Sequence, residues 1–255
     1  MDGRLQAFQR LLDIMDELRE KCPWDRKQTM ESLRHLTIEE TFELSDAIVE
    51  GDLEEVKKEL GDLMLHLVFY AKIGSEKSAF DIQDVLNSVC EKLIHRHPHI
   101  YGEVKVKDEA EVKANWEKIK LKEGKGKRSV LGGVPKSLPA MIKAIRIQDK
   151  ARGVGFDWDR DEAVFEKIEE ELQELKAEVK DNSDKIDEEF GDVLFSLINY
   201  ARFLELNPED ALEKTNKKFI KRFQFMEEQA REAGKSIENL SLAEMEGYWQ
   251  KAKSL

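Results

Sequence analysis

The residues with the clearest chemical potential are carboxylates in a repeated register. Glu39-Glu40-x-x-Glu43 is followed by Glu59-Leu60-Gly61-Asp62. Residues three apart share a helix face, so Glu40 with Glu43, and Glu59 with Asp62, each present their oxygens to one side. Between the two runs, Glu50-Gly51-Asp52 supplies a glycine to end one helix and an aspartate to cap the next. Folded back there as an antiparallel hairpin, the pairs 43/59 and 40/62 share the midpoint 51 and lie at matching heights. The arrangement recurs. Glu170-Glu171-x-x-Glu174 precedes Glu189-Phe190-Gly191-Asp192, and the pairs 174/189 and 171/192 both centre within Asp181-Asn182-Ser183, a good turn sequence.

A single EExxE run in a chain with 38% charged residues reads as a solvated helix face. Two mirrored sets bordering apolar stripes read differently. Four carboxylates gathered near a core repel one another and are costly unless neutralised. Oxygen-only ligands favour a hard cation, so Glu40, Glu43, Glu59 and Asp62, and then Glu171, Glu174, Glu189 and Asp192, are candidate ligands of Mg²⁺, with Mn²⁺ as a substitute. A di-iron bundle would need Glu-x-x-His pairs, and neither set has one. His66 follows Asp62 by four residues, but its counterpart is Ser196, so it reads as a packing residue or a support behind a ligand. Glu39, Glu170 and Glu188 are the neighbouring acids that could take a proton from water.

A metal held by carboxylates commonly completes its shell with substrate phosphates. Lys92 with Arg96, and Lys218 with Arg222, place two cations one helical turn apart, able to grip a polyphosphate. Trp116 with Lys120, and Trp249 with Lys253, pair a flat ring with a cation, as a base and its phosphates require. Trp24 and Trp158 precede the two carboxylate sets and join these substrate-binding candidates. Alone, each pair would pass for a surface feature or a core tryptophan; their ordered recurrence argues for a site.

The elements that position these residues are helices. Leu53, Val56, Leu60, Leu63, Leu67 and Ala71 recur at three or four, as do Ile186, Phe190, Val193 and Leu197. No segment alternates convincingly as a strand, so the chain is expected to be all-α. The matched motifs are offset by 131, 130, 126 and 133 residues, the drift that loop insertions produce in a duplicated domain. Gly124, Gly126, Gly132, Gly133, Pro135 and Pro139 mark a linker at 123–139, between an N-terminal domain at 1–122 and a C-terminal domain at 140–255.

Bulk properties exclude several classes. With 42 basic and 54 acidic residues, the net charge of −12 repels polyanions, and general nucleic-acid binding is not expected. Cys22 and Cys90 make no disulfide framework. The first twenty residues lack a signal-peptide core, and the most apolar stretch, 63–73, holds His66 and Lys72 and is too short to span a membrane. A cytoplasmic location is the expectation. No Gly-rich loop ends in Lys-Ser/Thr, which argues against a P-loop enzyme.

Taken together, the sequence resembles the MazG family of nucleoside triphosphate pyrophosphohydrolases over nearly its whole length. The specific pieces are Cys22-Pro23-Trp24-Asp25 with Gln28-Thr29, the two EExxE…ExxD sets, and His95-Arg96-His97-Pro98-His99. In the second half they are Gly155-Phe156-Asp157-Trp158 and Asn216-Lys217-Lys218-Phe219-Ile220-Lys221-Arg222-Phe223. The resemblance implies two tandem helical-bundle domains, a helix-mediated homodimer, and cleavage of nucleoside triphosphates to monophosphate and pyrophosphate in nucleotide-pool house-cleaning. It assigns the metal ligands to the eight carboxylates above. Two positions depart from the pattern: Met30 stands where the family often has histidine, and Lys58 stands opposite Glu188, leaving a spare acid only in the second copy. His95, His97 and His99 lack a supporting cysteine or distant histidine and read as a phosphate-facing helix end rather than a zinc site. The alternatives are a narrower specificity (dUTP, dCTP or phosphoribosyl-ATP) or a catalytically silent scaffold that senses a nucleotide or a partner.

Overall fold

The computed structural model describes residues 2–108, 111–112, 115–116, 119, 129–157 and 160–254. Its secondary structure is helical throughout, with no strand among the described residues. The chain divides into two compact units, Met1–Val112 and Lys113–Leu255. The expected linker at 123–139 falls within the second of these units. Residues 120–128 lie outside the described residues, whereas Val130–Gly133 forms a 3₁₀ turn packed on a helix of the second unit.

In the first unit α1 (Gly3–Lys21), α2 (Met30–Glu50), α3 (Leu53–Glu76), α4 (Ile82–Arg96) and the single turn α5 (Pro98–Tyr101) follow in order. Thr29 and Ser32 form a reciprocal capping box that starts α2. Gly51 ends α2 in the left-handed region at φ 74°, a conformation that a Cβ would disfavour. Its N–H and that of Asp52 return to the carbonyls of Ile48 and Ala47, satisfying the last turn. The Asp52 carboxylate then accepts from the N–H groups of Glu54 and Glu55 and starts α3. The expected hairpin therefore turns where the sequence places it. Its base is held by a core of Met15, Leu33, Val68, Phe69 and Ile73, with Leu36, Leu65 and Tyr70 packed against it. Tyr70 and Thr37 join hydroxyls across the hairpin at 2.6 Å.

The second unit contains α6 (Ala140–Arg152), α7 (Asp161–Asp181), α8 (Ile186–Phe203), α9 (Pro208–Glu232) and α10 (Leu242–Ala252). Here Asn182 takes the left-handed position at φ 47°, one of few non-glycine residues that tolerate it. The Ser183 hydroxyl accepts from the Lys185 N–H as the chain enters α8. Val164, Ile168, Val193 and Ile198 form the buried seam of the α7–α8 hairpin. Asn207 and Pro208 open α9, and a Ser241–Glu244 capping box opens α10. No helix among the described residues is long and apolar enough to cross a membrane.

Candidate metal centre

Each hairpin brings three carboxylates into one cluster. Glu40 and Glu43 on α2 and Glu59 on α3 place oxygens within 4.8 Å of one another, and Glu171 and Glu174 on α7 with Glu189 on α8 do the same. The helical period puts each pair on one face, and the Gly51 and Asn182 turns set the height at which the facing helix supplies its acid. Asp62 and Asp192 stand outside these three-oxygen groups. They still act on them. Burial, followed by repulsion from Asp62, Glu43 and Glu59, raises the Glu40 carboxyl above the usual carboxylate range. Burial, then Glu174, Asp192, Glu171 and Glu178, raises Glu189 likewise.

Burial is asymmetric within each cluster. Glu59 is only 3% exposed and Glu171 only 7%, while Glu43 and Glu174 face solvent. The Oε2 atom of Glu59 is buried with no hydrogen-bond partner among the described residues. An unpaired buried carboxylate oxygen is expensive, so the position suits a cation. Three converging carboxylates, oxygen-only and half open to solvent, match what a hard divalent ion requires.

Lysines also reach the clusters. Lys58 donates to Glu59 Oε1 at 3.0 Å and to Glu55 Oε2 at 3.2 Å. Lys167 lies 2.9 Å from both Glu171 Oε1 and Glu170 Oε1. These bonds, first to Glu59 and first to Glu171, raise both ammonium pKa values above the ordinary lysine value. The lysine comes from the second helix of the hairpin in one unit and from the first helix in the other. Lys167 is not conspicuous in the sequence, although its spacing of three and four from Glu170 and Glu171 is a signal for such contacts. Of the candidate bases, Glu170 is tied to Lys167, whereas Glu39 and Glu188 are exposed on α2 and α8. His66 is buried on α3 with Nδ1 unpartnered; burial lowers its pKa against the pull of Asp62.

The expected phosphate contacts are gathered most clearly in the second unit. Lys218 and Arg222 of α9 and Lys253, just beyond α10, line one cavity of about 190 Å³ together with Lys221. The Trp249 ring tilts against Phe219 at 5.1 Å and carries the Arg222 guanidinium at 5.8 Å. In the first unit Lys92 is exposed and Arg96 half-buried on α4, and Trp24 is exposed between α1 and α2. Trp116 falls within the second unit. Lys120 and Trp158 lie outside the described residues. The His97 Nδ1 lies 2.6 Å from the Leu93 carbonyl, and its ring is 5.6 Å from that of His99.

The family model described as the MazG nucleotide pyrophosphohydrolase domain matches this chain twice, over residues 28–101 and 160–225. Each match spans one carboxylate hairpin. The chain belongs to the MazG family. Among curated proteins, it is 48% identical to the nucleoside triphosphate pyrophosphohydrolase/pyrophosphatase MazG of Thermotoga maritima, over 96% of this chain and 95% of that protein. It is 38% identical to the nucleoside triphosphate pyrophosphohydrolase of Escherichia coli K12, over 98% of both. It is also 44% identical to the uncharacterized protein YabN of Bacillus subtilis, over 96% of this chain but 51% of that protein. That match covers about half of a longer chain.

Proposed function

We propose that this MazG chain hydrolyses nucleoside triphosphates to nucleoside monophosphate and pyrophosphate, using Mg²⁺ held by its carboxylate clusters. The observation that carries the reading is the repeated three-oxygen cluster, one of whose buried oxygens has no partner. The activity named for the full-length relatives gives that cluster its substrate class.

Glu40, Glu43 and Glu59 would hold the ion in the first unit, and Glu171, Glu174 and Glu189 in the second, with Asp62 and Asp192 adding negative field beside them. When bound, Mg²⁺ would neutralise the polyphosphate and stabilise the charge that develops as the bridging bond breaks. The protein supplies the remainder. Lys218, Lys221, Arg222 and Lys253 offer a cationic pocket to phosphate oxygens. A free carboxylate oxygen, on Glu39 or Glu188, accepts the proton of water as that water adds to the α-phosphorus. The α–β bridging bond breaks and pyrophosphate departs.

A role in clearing nucleotides from the cytoplasm follows from this reading. So does a homodimer formed through helix faces, because Phe42, Leu60 and Leu67 of one hairpin and Phe190 of the other are each about half exposed. Sedimentation of the full chain is expected to give twice the mass of one chain; a monomer at micromolar concentration would remove the dimer. The chemistry is tested by the products. ATP labelled at both the α- and γ-phosphates should yield labelled AMP and labelled pyrophosphate together. Accumulation of ADP with orthophosphate would show cleavage at the other anhydride. Tight nucleotide binding with no product in Mg²⁺ would favour the silent sensor.

A further inference from the structure

The two hairpins carry matching carboxylate clusters but differ in what stands beside them. In the second unit a cavity of about 230 Å³ runs along α7 and α8, with Val164, Lys167, Phe195 and Asn199 in its wall. The offset of 131 that relates Glu40 to Glu171 relates Leu33 to Val164 and Leu36 to Lys167. The offset of 130 that relates Glu59 to Glu189 relates Leu65 to Phe195 and Phe69 to Asn199. In the first unit these places are core. Leu33 and Phe69 are 1% and 2% exposed, and Leu36 and Leu65 pack against the cluster that contains them. A leucine and a phenyl ring fill the positions where the second unit presents a lysine stem and an amide to open space, and a close-packed interior admits no further ring.

The first cluster nonetheless has the marks of a ligand site. Glu59 Oε2 is buried and unpartnered among the described residues. His66, seven residues on along the same face of α3, is buried as well, and its Nδ1 is also unpartnered. A buried polar atom left unpaired is costly, so both positions suit a bound polar group. Lys58, on a flexible and largely exposed stem, bonds Glu59 at the place where the second unit has the acid Glu188.

Mg²⁺ on a few carboxylates completes its shell with phosphate oxygens, and an ammonium beside it adds a charge-assisted hydrogen bond. The ligand that gains from these contacts is all phosphate. We infer that the Glu40–Glu43–Glu59 cluster is a base-blind site for inorganic pyrophosphate, held as its Mg²⁺ complex. This inference rests on the proposed hydrolase reading for the ion and for the source of the ligand, since pyrophosphate is what leaves when the α–β bond breaks. A nucleoside triphosphate that reaches the same ion carries a base that meets packed side chains, so the base adds no affinity. The duplication has thus kept the metal cluster in both copies while closing the space beside it in one.

The test is calorimetry on the full-length Glu189→Gln variant in Mg²⁺, in which the second cluster is disabled, once the variant is shown to melt cooperatively. The probe is methylenediphosphonate, whose P–C–P bridge resists hydrolysis. One molecule per chain is expected to bind. The α,β-methylene analogues of ATP, GTP, CTP and UTP should bind no more tightly than the probe and within about twofold of one another. Chelator, and separately the Glu59→Gln, Glu189→Gln double variant, should each weaken the probe by at least about tenfold, which separates the cluster from the cationic pocket at Lys218 and Arg222. A nucleotide analogue that binds about tenfold tighter than the probe, or a spread of that size among the four bases, would reveal a base pocket and overturn the inference. A Glu189→Gln variant that does not bind the probe overturns it too, as does binding that survives in the double variant. Turnover in the parent scores the hydrolase reading separately: a parent that cleaves no nucleotide loses that reading, while metal-dependent binding of the probe at Glu59 still establishes the site.

Discussion

The Glu59→Gln, Glu189→Gln double variant is expected to fold and to be inert, with hydrolysis at least about 10³-fold below the parent. Both residues supply the α3 or α8 oxygen that closes a three-carboxylate cluster. Without it, the acids of the facing helix retain only one side of the ion. Glutamine preserves the volume, so the buried position of Glu59 remains filled, and the loss of charge relieves repulsion in the metal-free state. Each single variant should lose one set of bound Mg²⁺ in calorimetry and keep the other. Catalysis need not divide evenly. Lys58 occupies the first-unit place of Glu188, so Glu189→Gln should cost more turnover than Glu59→Gln. A folded double variant with near-normal rates would show that the clusters are structural and that the active site lies elsewhere.

Removal of divalent metal should have an effect of similar size. Chelator is expected to suppress hydrolysis to the level of the double variant, and added Mg²⁺ or Mn²⁺ to restore it; full turnover of the stripped protein would end the metal mechanism. The same clusters predict a pH-dependent stability signature. Glu40 and Glu189 have carboxyl pKa values raised in the fold, chiefly by burial. Folding therefore favours their protonated forms, and each costs stability once the pH rises through the ordinary carboxylate value toward the raised one. Metal-free Glu40→Gln should melt above the parent at pH 7, and the gap should close below the ordinary carboxylate range. A gap that persists at pH 3 would assign the effect to packing instead of charge.

The parts of this site that were legible in the sequence are those set by short-range rules. Gly51 and Asn182 are turn residues whose left-handed backbone is a local preference, and counting outward from them placed the glutamates of each cluster at one height. The same counting treats distance along the helix axis and ignores side-chain length. Asp62 and Asp192 share that height but are one methylene shorter than glutamate, and they stand outside the three-oxygen groups. Lys58 and Lys167 reach the clusters through long side chains whose rotamers no periodicity specifies.

The opposed lysines have a consequence for how the protein is made. A cluster of acids that needed its metal in order to collapse would tie the maturation of each hairpin to the supply of Mg²⁺. Lys58 and Lys167 are covalently attached cations that stand beside Glu59 and Glu171 before any ion arrives, and both sit on flexible stems that can swing aside. On the proposed metal reading, the hairpins would not need the ion in order to close, and binding it would exchange a tethered cation for a diffusible one. The two halves achieve this from opposite helices, so a mutation that disables one placeholder leaves the assembly of the other half untouched.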